Sequence, residues 1–181
     1  YGDNITGEIT PHHLLLSEQD ITLNHGMFKM NPPLRSVEDK ETLQQAIVDG
    51  TINIIATDHA PHKEEEKECD FNKAYFGIVG LETAFPLLYT KLVKTNIISL
   101  KKLIECMTIN PSNRFNLGTG EIKVGKKANL NIIDLDNKYN IDKSTFLSKG
   151  KSMPFDKEEV YGKTIYTIVN GNIEYEESKW N

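Results

Sequence analysis

The sequence has 181 residues, 38% hydrophobic and 26% charged, enough chain for one ordinary domain with a core. Its net charge is −5 and its lysines are scattered among acidic residues, which argues against a nucleic-acid surface. No apolar run approaches a membrane span, no signal peptide is visible, and nothing reads as a basic membrane-binding helix.

In chain order, Ile5 to Thr10 alternates apolar and polar residues like a short strand, and His12-His13 follows it. If the strand continues there, adjacent histidines point to opposite faces, so hydrogen bonding or packing fits them better than metal ligation. Ser17 offers an N-cap for a short helical turn to Asp20. The prolines of Lys29 to Arg35 favour extended backbone. Ser36 and Asp39 form a capping pattern, which predicts a helix from Val37 to Asp49 with Gly50 as its stop. Asn53 to Ala56 reads as a buried strand, and helix followed by buried strand is the alternation of an α/β architecture. The charge run from Lys63 to Asp70 reads as a solvated loop, or as a mobile flap over a site. Gly80 to Lys94 is apolar at helical spacing, with Pro86 predicting a kink or a late start. Leu100 to Met107 is another helix; Asn110-Pro111 marks a break, and Ser112 to Leu117 a last turn ended by Gly118. Beyond Gly120 the runs are short and β-like, and Asn170-Gly171 signals a hairpin. The two cysteines, Cys69 and Cys106, form no C-x-x-C pair, which fits a reduced, cytoplasmic chain.

The segment Ile54-Ile55-Ala56-Thr57-Asp58-His59-Ala60-Pro61-His62 concentrates the chemistry. Residues just past the C-terminal end of a buried parallel strand project into the mouth of an α/β sheet or barrel. A carboxylate there can ligate a metal or act as a general base, and an imidazole can ligate or shuttle protons. Pro61 stiffens the link between Asp58 and His62. Taken alone, the string reads first as a capped turn carrying two surface histidines, and Asn31 as a turn residue.

Four ordered strings, EITPHHLLLSEQDI, KMNPPLRSVEDKETL, IIATDHAPH and AYFGIVGLETAFPLLYTKLV, resemble the C-terminal half of a bacterial class I dihydroorotase. A fifth, NPSNRFNLGTGEIKVGKKANLNIIDL, resembles the tail shared across the amidohydrolase superfamily. The resemblance implies an α/β fold: the C-terminal part of a TIM-like (β/α)8 metal-dependent hydrolase barrel over residues 1–119, plus part of a small β-sandwich domain over 120–181. It implies that Asp58 ligates one zinc of a binuclear centre. The same carboxylate would be the general base that carries a proton from the attacking water to the leaving nitrogen. Asn31 and His62 would bind the substrate around its carboxylate, and Phe76-Gly77 would contact the dihydropyrimidine ring. The implied reaction is reversible ring closure of N-carbamoyl-L-aspartate to L-dihydroorotate, in pyrimidine synthesis. A homodimer and association with aspartate transcarbamoylase are implied partners. The family's H-x-H pair, its bridging acidic or carboxylated-lysine ligand and two further histidines find no counterpart here, which places them upstream of Tyr1. The expectation is therefore a chain inactive and unstable without the N-terminal half of the barrel. The alternatives are an allantoinase or dihydropyrimidinase, or a non-catalytic dihydroorotase-like scaffold subunit. The second histidine of D-H-A-P-H and the retained site residues favour the dihydroorotase.

Overall fold

The structure is a computed structural model that describes residues 5–177. Two short strands, β1 (Glu8–Ile9) and β2 (Ile54–Ile55), pair in parallel with Glu8 beside Ile54 and Ile9 beside Ile55. The Ala56 amide extends the pairing by donating to the Ile9 carbonyl at 3.0 Å. Between them lie helix α1 (Pro11–Leu15) and helix α2 (Val37–Asp49), joined by two single 3-10 turns at Glu18–Asp20 and Gly26–Phe28.

The histidine pair sits on α1, not on a strand. Thr10 caps the helix by accepting the His13 amide, and Pro11 occupies the first turn, where its missing N–H costs nothing. Helix α2 has the predicted bounds. Ser36 and Asp39 exchange capping hydrogen bonds, and Gly50 ends the helix in the left-handed region at φ 87°. The charge run is partly helical, as α3 (Glu64–Lys67).

Helix α4 (Ala84–Leu88) starts late, with Pro86 in its first turn, where an amide has no intrahelical acceptor. It continues as a π-helical turn at Tyr89–Val93, in which the Lys94 amide reaches back to the Tyr89 carbonyl at 2.9 Å. Helix α5 (Leu100–Met107), capped by Ser99, runs into α6 (Ile109–Arg114). The break falls at Thr108, with φ −132° and ψ −82°, one residue before α6 begins. Asn110-Pro111 therefore belongs to the first turn of α6, where a proline is tolerated, rather than to a break.

The remaining strands are β3 (Leu130–Asp134), β4 (Tyr139–Asn140), β5 (Glu159–Val160), β6 (Lys163–Val169) and β7 (Asn172–Glu176). They form a three-stranded antiparallel sheet in the order β3-β6-β7 and a separate β4-β5 pair. Asn170 and Gly171 turn the β6-β7 hairpin with positive φ at both positions, 53° and 89°, as a right-twisted two-residue turn requires. Residues 178–181, the end of the expected β-rich segment, lie outside the described residues.

Two apolar clusters hold these pieces together. One joins Leu14, Ile47, Ile55, Leu88, Leu92, Leu103 and Cys106, and so packs α1, α2, α4 and α5 around β2. The other joins Leu16, Met30, Leu34, Ile78 and Leu87 to Ile141, Met153, Phe155 and Val160. Residues 141–160 thus share a core with the loops that leave β1 and β2. Burial of this kind is the main stabilising term, at about 1.5–3 kcal/mol for each fully buried large aliphatic side chain.

Candidate active site

Asp58 stands three residues beyond the end of β2, exposed, in the left-handed region at φ 48°. A non-glycine residue in that conformation is held there by its surroundings. The surroundings are two pairings. Before Asp58, Ala56 is tied to Ile9; after it, His59 bridges Ile78 in parallel and the Ala60 amide donates to the Ile78 carbonyl at 2.9 Å. The chain must therefore turn sharply between two fixed points, and the turn presents the carboxylate outward.

His59 faces away from that opening. Its Nδ1 accepts the Gly80 and Leu81 amides at 3.1 and 3.4 Å, and its Nε2 lies 3.4 Å from the Ser148 hydroxyl. Ser148 in turn donates from both hydroxyl and amide to Glu82, at 2.7 and 2.9 Å. Burial pushes the Glu82 carboxyl up, but the Ser148 hydrogen bonds, with that of its own backbone amide and the neighbouring His59, carry the net displacement downward. His59 is thus a brace that fixes the turn carrying Asp58.

His62 closes the same turn. Its Nε2–H donates to the Phe76 carbonyl at 2.8 Å, its ring stacks on Tyr75 with centroids 5.5 Å apart, and its Nδ1 lies 3.8 Å from Glu66. Gly150 backs this residue closely: a Cβ there would stand 2.6 Å from the His62 carbonyl oxygen. Gly77 takes φ +109°, and a Cβ on it would stand 2.4 Å from that of Ala60. Only a glycine lets the 75–78 segment approach the Asp58–His62 turn this closely.

The segment carrying Asn31 joins from the other side. The Gly77 amide donates to the Lys29 carbonyl at 2.9 Å, and the Lys29 ammonium lies 4.7 Å from the centre of the exposed Phe76 ring. Asn31 is exposed, and its peptide bond to Pro32 is cis. The Pro32 carbonyl accepts His13 Nε2–H at 2.8 Å, while His13 Nδ1 accepts the Thr10 hydroxyl at 2.6 Å. The chain of contacts therefore links the segments of Asn31, Phe76-Gly77, His62 and Asp58 into one rim. Sequence reasoning gave His13 a hydrogen-bonding or packing role but missed Lys29, Gly150 and the Ser148–Glu82 pair as parts of it. Their partners come from distant stretches of chain, and no local pattern marks them.

A metal ion would find one arm here. Among the described residues the exposed Asp58 carboxylate has no hydrogen-bond partner, which leaves its oxygens open to a ligand or a proton. Among the described residues, no group of three or more His, Cys, Asp or Glu side chains could enclose an ion. His59 and His62 are both engaged by protein groups. The described residues fit one ligand of a metal centre and not the whole of it. Among them, too, no helix is long and apolar enough to cross a membrane.

Known proteins resemble this chain over nearly its whole length. A dihydroorotase of Bacillus licheniformis is 52% identical over 178 residues, covering 98% of this chain and 42% of its own length. A dihydroorotase of Staphylococcus aureus is 51% identical over the same share of each chain. The sequence thus spans about 42% of the length of the curated relatives it matches. Among solved structures, the L-hydantoinase (dihydropyrimidinase) from Arthrobacter aurescens superposes with a TM-score of 0.89 at 34% identity, over 94% of this chain and 39% of that one. The amidohydrolase family profile matches residues 9–173, a span that runs from the end of β1 through the Asp58 turn to the start of β7, and this chain belongs to the amidohydrolase family.

Proposed function

We propose that these residues are the substrate-facing, C-terminal part of a dihydroorotase, which interconverts N-carbamoyl-L-aspartate and L-dihydroorotate. The observation that carries this reading is the 51–52% identity to dihydroorotases across 98% of the sequence, against 34% to the hydantoinase. The division into a barrel portion, 1–119, and part of a small β-sandwich domain, 120–181, belongs to the same proposal.

In this reading Asp58 is the proton carrier and one metal ligand. Its exposed, unengaged carboxylate can take a proton from the attacking water during ring opening and deliver it to the departing ring nitrogen; ring closure runs the same transfer backwards. Zinc, when bound, lowers the pKa of water and polarises the scissile carbonyl. Asp58 would hold it by one ligand, and the described residues would not complete its shell. Asn31 and His62 bind the substrate carboxylate, Asn31 through its amide and His62 through Nδ1–H of an imidazole that then carries both ring protons, its Nε2–H held by the Phe76 carbonyl. The Phe76 face and the Gly77 backbone lie against the ring.

The discriminating experiment is turnover by the complete protein, with L-dihydroorotate and hydantoin offered separately. Dihydroorotate is expected to be the better substrate by about two orders of magnitude or more in kcat/KM, because a site built for its carboxylate rejects a ligand without one. Preference for hydantoin would replace this reading with the dihydropyrimidinase one.

A further inference from the structure

Lys67 lies in the middle of the most charged stretch of the sequence, yet its side chain is fully buried. Its ammonium donates to the Lys29 carbonyl at 3.0 Å and to the Tyr75 carbonyl at 2.8 Å. Those carbonyls come from the two segments that carry Asn31 and Phe76-Gly77. The Lys29 carbonyl is also the acceptor of the Gly77 amide, so a single oxygen gathers both contacts. The Tyr75 amide returns the connection by donating to the Glu66 carbonyl at 3.1 Å. The anchor itself is firm. Gly26 packs so tightly on α3 that a Cβ there would stand 2.4 Å from the Lys67 carbonyl oxygen, and the Gly26 amide donates to the Cys69 carbonyl at 3.1 Å.

A buried ammonium normally finds a carboxylate. Among the described residues Lys67 has no ion pair; two carbonyls are its recorded partners. Such an arrangement is costly as a stabilising device but well suited to a cross-link. A lysine has three donors on one nitrogen at the end of a long stem, and can fasten two carbonyls at once. A neutral amide of similar reach presents a narrower geometry, and an aliphatic side chain would take the ammonium from the Tyr75 carbonyl and leave the Lys29 carbonyl with the Gly77 amide alone.

We propose that Lys67 is a positioning residue for substrate: it clamps the Asn31 segment to the Phe76-Gly77 segment and so sets the shape of the rim that receives the substrate carboxylate and ring. The clamp rests on the functional reading above. The buried positive charge lies directly beneath loops that, in that reading, bind a dianionic substrate. Burial, with the neighbouring Lys29 ammonium, lowers the Lys67 pKa to about 8, as expected for a cation held without a carboxylate partner.

The test compares Lys67→Met with wild type in the complete protein, by amide hydrogen exchange and by steady-state kinetics with N-carbamoyl-L-aspartate. The expected result is exchange at Gly77 faster by about tenfold or more. With it, KM should rise about tenfold or more while kcat falls by less, because the rim loosens while Asp58 stays in place. Should Lys67→Met fail to fold, Lys67→Gln, which keeps a donor for one of the two carbonyls, is expected to show the same KM rise in weaker form. Unchanged Gly77 exchange overturns the clamp. Faster exchange with an unchanged KM overturns the role toward substrate and leaves a purely structural lysine. A wild type that does not turn over dihydroorotate or N-carbamoyl-L-aspartate sinks the functional reading itself. That result is read before any variant is made, and the positioning role falls with it.

Discussion

His12 and Lys67 show how single ionisable residues can serve a protein from the inside. His12 is 2% exposed, its Nε2 has no hydrogen-bond partner, and its ring lies 4.5 Å from that of His13. Burial, and then the charge on His13, lower its pKa from 6.5 to about 3. The folded state therefore refuses a proton that the unfolded chain accepts. Between pH 6.5 and about 3 the unfolded chain binds more protons, so this residue's contribution is complete above pH 6.5 and is lost as pH falls. Each unit of displacement corresponds to about 1.4 kcal/mol. A His12→Leu variant, followed by thermal midpoint across this range, should show a flatter acid limb than wild type. Identical limbs would mean that His12 is not held neutral. Neither residue's burial could be read from the sequence. A lysine among glutamates looks solvated until Lys29 and Tyr75 are brought to it, and which histidine of the pair is buried is set only when Thr10 and Pro11 coil it into a helix.

At the scale of elements, legibility followed the locality of the signal. Helix α2 carries its own start and stop, Ser36 with Asp39 and then Gly50, and its bounds are the predicted ones. The Asn170-Gly171 hairpin is equally local. Helix α6 was misread because Pro111 suggests a break, whereas the chain turns at Thr108 and uses the proline in the first turn. The rim depends on segments far apart in sequence, and only their approach explains Gly77. A Gly77→Ala variant combines a strained φ with a 2.4 Å clash against Ala60. It should lose roughly 1–3 kcal/mol of stability. Adding Ala60→Gly removes the clash but not the φ strain, so it should restore part of the loss. A single Gly77→Ala variant with an unshifted thermal midpoint would show that the two segments do not meet as described.

For the molecule as a whole, the sequence made the α/β start and the β-rich end legible, because helix and strand periods change near Gly120. It did not reveal that Ile141, Met153, Phe155 and Val160 would pack against Leu16 and Met30, since pairing between distant apolar residues leaves no local pattern. Asp58 was legible as a strand-end carboxylate, whereas the braces that hold it, His59 through Ser148 and Glu82, were not. In the proposed function the Asp58 carboxylate moves the proton in ring closure. The most direct measurement is conversion of N-carbamoyl-L-aspartate to L-dihydroorotate by the complete protein, wild type against Asp58→Asn. Loss of turnover by about three orders of magnitude or more, with the thermal midpoint preserved, is the expected result. An Asp58→Asn protein that keeps its rate would mean that Asp58 carries no proton in the reaction.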